Sequence, residues 1–258
     1  MAIPSQIPRA ALVTGGAKRI GRAIGLALAG AGFDLAIHHH DSREEAEALA
    51  GEVRALGRRA ALLRADLSRE AEVETLIPDA TAKLGPVGVL VNNASRFDRD
   101  EWDSATRESW DAHLEPNLRA PFVLTQALAL ALPEGAEGAV VNMLDQRVLS
   151  LTPHFVSYTV SKAALWALTQ TMALALAPRI RVNGIGPGPT IASTRQSEAQ
   201  FRAQSESTPL GHGSSPEEVA RAVLAILSLP AMTGGIITLD GGQHLQWSPT
   251  RAHGGPEE

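Results

Sequence analysis

Short apolar runs alternate with helix-period segments along most of this chain, and that alternation leaves few folds open. Ala10–Val13, Phe33–His38, Ala60–Arg64, Val87–Val91, Ala139–Met143, Ile180–Ile185 and Ile236–Leu239 read as strands. Several of these runs are apolar throughout, as strands covered on both faces must be. The intervening segments Arg19–Ala31, Arg43–Leu56, Glu70–Leu84, Asn117–Leu132, Tyr158–Ala177 and Pro216–Leu229 read as helices, the last with Ser215 as cap and Pro216 at its first position. Strands joined through helices lie parallel in one sheet. The expected class is therefore α/β, a doubly wound parallel sheet of about seven strands with helices on both faces. The 258 residues suit one domain spanning 1–258. Within it, 186–215 is rich in Gly, Pro, Ser and Thr and reads as a substrate loop, and 243–258 as a polar tail.

Composition removes whole classes of function. A net charge of −5 and the lack of a dense Lys/Arg run argue against nucleic-acid and anionic-membrane partners, so a small-molecule substrate is expected. With no cysteine, thiolate nucleophiles, thiolate metal sites and disulfides are excluded. The first residues offer no signal-peptide core and no later stretch is long enough to span a bilayer, which makes a cytoplasmic location the expectation. His38, His39 and His40 are too short and internal a run to suggest a metal site, and none is expected.

Two places carry chemistry. The first strand runs into Thr14-Gly15-Gly16-Ala17-Lys18-Arg19-Ile20-Gly21 just before a helix, where backbone N–H groups and the positive helix end can face a pyrophosphate. Further on, Tyr158 and Lys162 stand four apart on one helix face, and Tyr158 is the only tyrosine. A tyrosine hydroxyl is a poor acid–base group at neutral pH unless a neighbouring ammonium favours its ionised form.

With Tyr158-Thr159-Val160-Ser161-Lys162 placed after a strand, the chain resembles the short-chain dehydrogenase/reductases, a family of Rossmann-type oxidoreductases. The resemblance runs from Ala10 to Gly242 and includes Asn92-Asn93-Ala94, Asp66-Leu67, Asn117, Pro187-Gly188 with Thr190, and Asp240-Gly241-Gly242. It implies Tyr158, Lys162 and Asn117 as a proton-relay set, with Asn117 holding a water. It also implies cofactor contacts from Gly15, Ile20, Gly21, Asn93, Ala94, Ser95 and Lys162, adenine contacts from Asp66 and Leu67, and nicotinamide contacts from Pro187, Gly188 and Thr190.

Two departures narrow the resemblance. Arg19 stands where the family usually has Gly, and Asp145 where it usually has a catalytic Ser. Both, together with Asn142-Met143-Leu144-Asp145, Ser95-Arg96-Phe97 and His38-His39-His40-Asp41-Ser42, are similar to the pteridine reductases within the family. A Ser hydroxyl can donate to a ketone oxygen, whereas an ionised Asp only accepts, so Asp145 suits a substrate that presents N–H groups. The resemblance implies that Phe97 stacks on the substrate, Ser95 helps bind it, and Arg19 reaches both substrate and cofactor phosphates. At the end of the second strand, where an acid would select NAD, stand His38 and His39, with His40, Lys18, Arg19 and Ser42 nearby. NADPH is the expected cofactor, although Asp41 replaces a basic residue usual in that branch.

The reading is thus an NADPH-dependent reductase acting on a pteridine C=N bond, with Tyr158 as proton donor and Asp145 positioning the substrate or sharing in proton transfer. Its alternatives are a carbonyl reductase or alcohol dehydrogenase acting on a 3-oxoacyl thioester, sugar or small ketone, and a non-catalytic NADP(H)-binding protein. Excess apolar surface on the helices after Asn117 and Tyr158 implies a homo-oligomer, tetramer or dimer.

Overall fold

A computed structural model describes residues 2–193 and 195–245. Strands β1 (Ala10–Val13), β2 (Asp34–His39), β3 (Ala60–Arg64), β4 (Val87–Asn92), β5 (Gly138–Met143), β6 (Ile180–Pro187) and β7 (Ile236–Leu239) form one seven-stranded sheet. Its order is β3-β2-β1-β4-β5-β6-β7 and every pairing is parallel, a Rossmann-like α/β arrangement. β1, β4 and β5 are buried at every position, which is why their sequences are apolar runs rather than alternations.

Helices cover both faces. On one, α1 (Arg19–Gly30), α2 (Arg43–Ala55) and α9 (Pro216–Ser228) pack a core that includes Ile24, Leu28, Leu49, Val223 and Ile226 against Val13, Ile37 and Val91. On the other, α4 (Leu76–Leu84), α6 (Ala120–Ala131) and α7 (Val156–Leu176) close over Leu12, Leu90, Val140 and Val182. The cap expected at Ser215 is there: its hydroxyl accepts from the Glu218 N–H while the Glu218 carboxylate accepts from the Ser215 N–H. No helix among the described residues is long and apolar enough to cross a membrane.

Three elements differ from expectation. The helix read over 70–84 is broken into α3 (Glu70–Val73) and α4, because Pro78 has no N–H to offer the Glu74 carbonyl. Asn117 does not begin the next helix. A helix α5 (Arg107–Leu114) precedes it, and a π-helical turn over Glu115–Arg119 joins α5 to α6, with the Ala120 N–H reaching back to the Glu115 carbonyl. Finally, α8 (Glu198–Glu206) lies inside the segment read as loop, capped by reciprocal Ser197 and Gln200 bonds. Of the expected polar tail, Gln243–Leu245 form a 3-10 turn and the remainder lies outside the described residues.

Candidate active site

The chain leaves β1 and β4, neighbours in the sheet, toward opposite faces, so a crevice opens at their carboxyl ends. Thr14 ties its two shores together: its hydroxyl oxygen accepts from the N–H groups of Asn93 (2.9 Å) and Ala94 (3.0 Å). The Asn93 amide answers by donating to the carbonyls of Thr14 (2.9 Å) and Gly15 (3.1 Å). Gly15 is left-handed (φ +59°), and a Cβ at Gly21 would overlap the Gly15 carbonyl oxygen. The glycines therefore let α1 begin against the turn. α1 has neither an acid in its first turn nor a side-chain cap from Lys18, so its leading N–H groups are left for an anion. A tight glycine turn under a helix end fits the pyrophosphate of a dinucleotide.

Arg19 also adopts a left-handed backbone, φ +52°, which explains why glycine is usual at this position. Its guanidinium donates to the carbonyls of Ile191 (3.1 Å) and Ala192 (2.9 Å) and lines the crevice beside Ile20, Ser95, Asp145 and Tyr158.

A cavity of about 540 Å³ beside the turn is lined by Gly15, His38, His40, Asp66, Leu67, Ala94 and Ser95. The histidine run divides here. His38 is buried; its Nδ1 accepts from the Gly15 N–H (3.0 Å), which leaves Nε2 to donate to the Ala65 carbonyl (3.1 Å). Burial lowers its pKa to about 4, so the ring is a neutral brace for the turn. His39 is buried away from the cavity, in keeping with strand alternation. His40 lines it beside His38 and is half exposed, in an ion-pair geometry with Asp41 at 3.4 Å. Lys18 pairs with Glu45, and neither it nor Ser42 lines the cavity. Of the residues read as cofactor contacts at this end, His38 and His40 line the cavity, whereas His39, Lys18 and Ser42 do not.

The chemical centre lies at the end of β5. The Tyr158 hydroxyl donates to Asp145 Oδ2 at 2.9 Å, and Asp145 Oδ1 accepts from the Arg147 N–H at 2.8 Å. Lys162 is buried, donates to the Met143 carbonyl (2.8 Å), and sits with its ammonium 5.8 Å from the Tyr158 ring centre. Burial lowers the Lys162 pKa to about 8, with the Asp145 charge opposing. The Asn117 side chain is engaged on both ends: Oδ1 accepts from the Arg96 N–H (2.8 Å) and Nδ2 donates to the Arg96 carbonyl and to Ser161 Oγ (each 3.0 Å). It ties the loop after β4 to α7.

In front of Tyr158, a cavity of about 290 Å³ is lined by Arg19, Ser95, Phe97, Asp145, Arg147, Pro187, Gly188, Thr190, Gln196, Gln204 and Gln243. Phe97 stands edge-on to Tyr158 (4.6 Å) and is stacked on Phe155 (4.7 Å, 8°), so one of its faces is already covered. Sequence reading missed Arg147, whose guanidinium lies over the rings of Phe97, Phe155 and Tyr158 at 5.4, 5.2 and 5.8 Å and pairs with Asp145 at 3.3 Å. Its signal was its place, two residues after Asp145 at the exit of a strand. Gln196 and, on α8, Gln204 were hidden inside the segment read as loop.

This fold and site define an oxidoreductase of the short-chain dehydrogenase/reductase family, to which the chain belongs: residues 15–244 match the family's profile described as enoyl-(acyl carrier protein) reductase. Among solved structures it is similar to the FolM alternative dihydrofolate reductase 1 of Brucella canis, complexed with NADP, at 43% identity and TM-score 0.92, covering 96% of this chain and all (100%) of that one. The corresponding protein of Brucella suis, also with NADP, is 45% identical with TM-score 0.90, over 93% of this chain and 96% of its own. A more distant relative is the 3-oxoacyl-[acyl-carrier-protein] reductase of Staphylococcus epidermidis, 30% identical over 92% of this chain and 99% of that protein.

Proposed function

We propose that this chain reduces a pteridine C=N bond, of a dihydropterin or dihydrofolate-like substrate, using NADPH. The observation that carries the reading is the carboxylate of Asp145 bonded to the Tyr158 hydroxyl, at the place where the family usually offers a serine. A carboxylate accepts N–H donors, and a pterin edge presents them beside the ring nitrogen that must be protonated. The similarity to dihydrofolate reductases of the FolM type supports the same substrate class.

The dinucleotide, when bound, supplies the hydride. The turn at Gly15 and Gly21, with Arg19, Ile20, Asn93, Ala94 and Ser95, would hold its pyrophosphate, and Asp66, Leu67 and His40 would line its adenine end. Pro187, Gly188 and Thr190 would border its nicotinamide end, with Lys162 on the ribose. At the end of β2 the cavity wall offers His38 and His40 rather than an acid, which favours the 2′-phosphate. Asp145 accepts from the substrate and fixes its register. Tyr158 releases its hydroxyl proton to the substrate nitrogen, and the Lys162 ammonium stabilises the phenolate left behind. Phe97 and the Arg147 guanidinium wall the cavity for a flat ring.

The test is NADPH oxidation at neutral pH with dihydrobiopterin, dihydrofolate, a quinonoid dihydropteridine and an acetoacetyl thioester. Selective turnover of a pterin is expected. Turnover of the thioester alone would replace the pteridine reading by the second one, a 3-oxoacyl reductase, which the Staphylococcus relative favours. Asp145→Ser separates the two as well: pterin kcat/KM should fall by about a hundredfold, the worth of a buried charge-assisted bond, while ketone turnover does not.

A homodimer or tetramer through α6 and α7 belongs to the same proposal. Leu130 and Leu174 are 83% and 84% exposed on these helices, more apolar surface than a lone chain gains by showing. Sedimentation showing only monomer at micromolar concentration would refute it.

A further inference from the structure

Beside Tyr158, among residues that do not line the substrate cavity, lies a polar cluster that the chemistry above does not use. His113 of α5 is completely buried, as is Ser157, and Asp100 nearly so. His113 Nε2 accepts from the backbone N–H of Asp98 at 3.0 Å, so Nδ1 carries the proton and donates toward Ser157 Oγ (2.7 Å) and the Ser109 carbonyl (3.0 Å). Ser157 Oγ donates in turn to Asp100 Oδ2 at 2.5 Å, and the Ser157 N–H to Asp100 Oδ1 at 3.1 Å. Ser109 Oγ adds a bond to the same carboxylate at 2.8 Å.

Two pieces of the active site meet on this cluster. The Asp98 amide follows directly on Phe97, which walls the substrate cavity, and Ser157 directly precedes Tyr158, whose ring the imidazole contacts edge-on at 6.0 Å. We infer that His113, Ser157 and Asp100 are positioning residues that set the Phe97 segment and the Tyr158 hydroxyl in one register, so that substrate binding depends on an imidazole that never touches substrate. The inference rests on the reductase reading above, since it assigns Phe97 and Tyr158 to substrate. Burial also lowers the pKa of His113, in spite of the Ser109 carbonyl and the charges of Asp100 and Asp98, so the ring keeps its Nε2 lone pair for the Asp98 amide at neutral pH.

The test pairs His113→Leu with His113→Gln, whose side-chain oxygen can replace Nε2 as acceptor. In His113→Leu the substrate KM should rise about tenfold, one buried hydrogen bond's worth, with NADPH affinity unchanged. His113→Gln should return KM to within about twofold of the parent. Hydrogen exchange at the Asp98 amide, read without substrate, should quicken in the Leu variant and not in the Gln variant. Should the Leu variant fail to fold, Ser157→Ala provides the same readings, with a smaller rise in KM. Unchanged KM and unchanged Asp98 exchange would overturn the inference, and so would a parallel loss of kcat, KM and NADPH affinity that glutamine does not rescue. A chain inactive on every pterin defeats the pteridine reading, whereas the exchange result decides this one independently.

Discussion

Tyr158 and Lys162 lie close enough for charge to matter and are buried enough for that charge to be costly, and the balance sets the pH at which the site works. Lys162, pushed down to about 8 by burial, is an ammonium below that pH and neutral above it. Since the charge is what favours a phenolate at Tyr158, kcat/KM should fall as pH rises through about 8 and hold on the acid side, which a pH–rate profile checks. Tyr158→Phe should cost roughly a hundred- to ten-thousandfold in kcat, the usual share of a positioned proton donor, and leave NADPH binding intact in a fluorescence titration. This pair was legible in the sequence because the i, i+4 spacing fixes both side chains on one helix face. Arg147 was not, because what makes it part of the site is the ring of Phe97 brought together with those of Phe155 and Tyr158 at the start of α7 under its guanidinium.

At the scale of elements, the β1–α1 turn is held from two directions, by Asn93 from β4 and by His38 from β2. A methyl at Gly21 would meet the Gly15 carbonyl and the Asn93 amide. Gly21→Ala should accordingly weaken NADPH binding by about tenfold or more and destabilise the fold by about 1–3 kcal/mol, as overpacking does. His38 gives the turn a pH dependence. Its value is about 4 in the fold against 6.5 in a free chain, so stability is whole above pH 6.5 and is lost as pH falls toward 4. The loss is on the order of 3 kcal/mol. Urea unfolding across that range should show it, and His38→Asn, less stable at pH 7, should show a flatter curve. The sequence announced the sheet and most helices through periodicity. It hid α5 and α8, whose residues are largely polar and whose caps, Thr106 with Ser109 and Ser197 with Gln200, are the only local signals. It also hid the π turn, which arises where Pro116 cannot continue the α5 ladder.

Across the whole molecule, the carboxyl ends of β1, β4, β5 and β6 bring the glycine turn, Asn93, Asp145 and Pro187 to one edge of the sheet, although they are far apart in sequence. That convergence follows from parallel topology, so the order of the strands, once read, already implied where the site would be. What topology does not specify is which histidines face the cavity and which is turned away from it; only the pairing of β2 with its neighbours decides that. Arg19 shows what this precision implies for change over generations. A glycine there would relax the left-handed backbone by about 1–2 kcal/mol. It would forfeit two exposed hydrogen bonds to residues 191 and 192 worth about as much. The exchange is nearly silent in stability, so purifying pressure for folding does not hold the arginine in place. A library sorted for thermal tolerance alone would let that position drift to glycine, and only sorting for ligand affinity would keep the guanidinium.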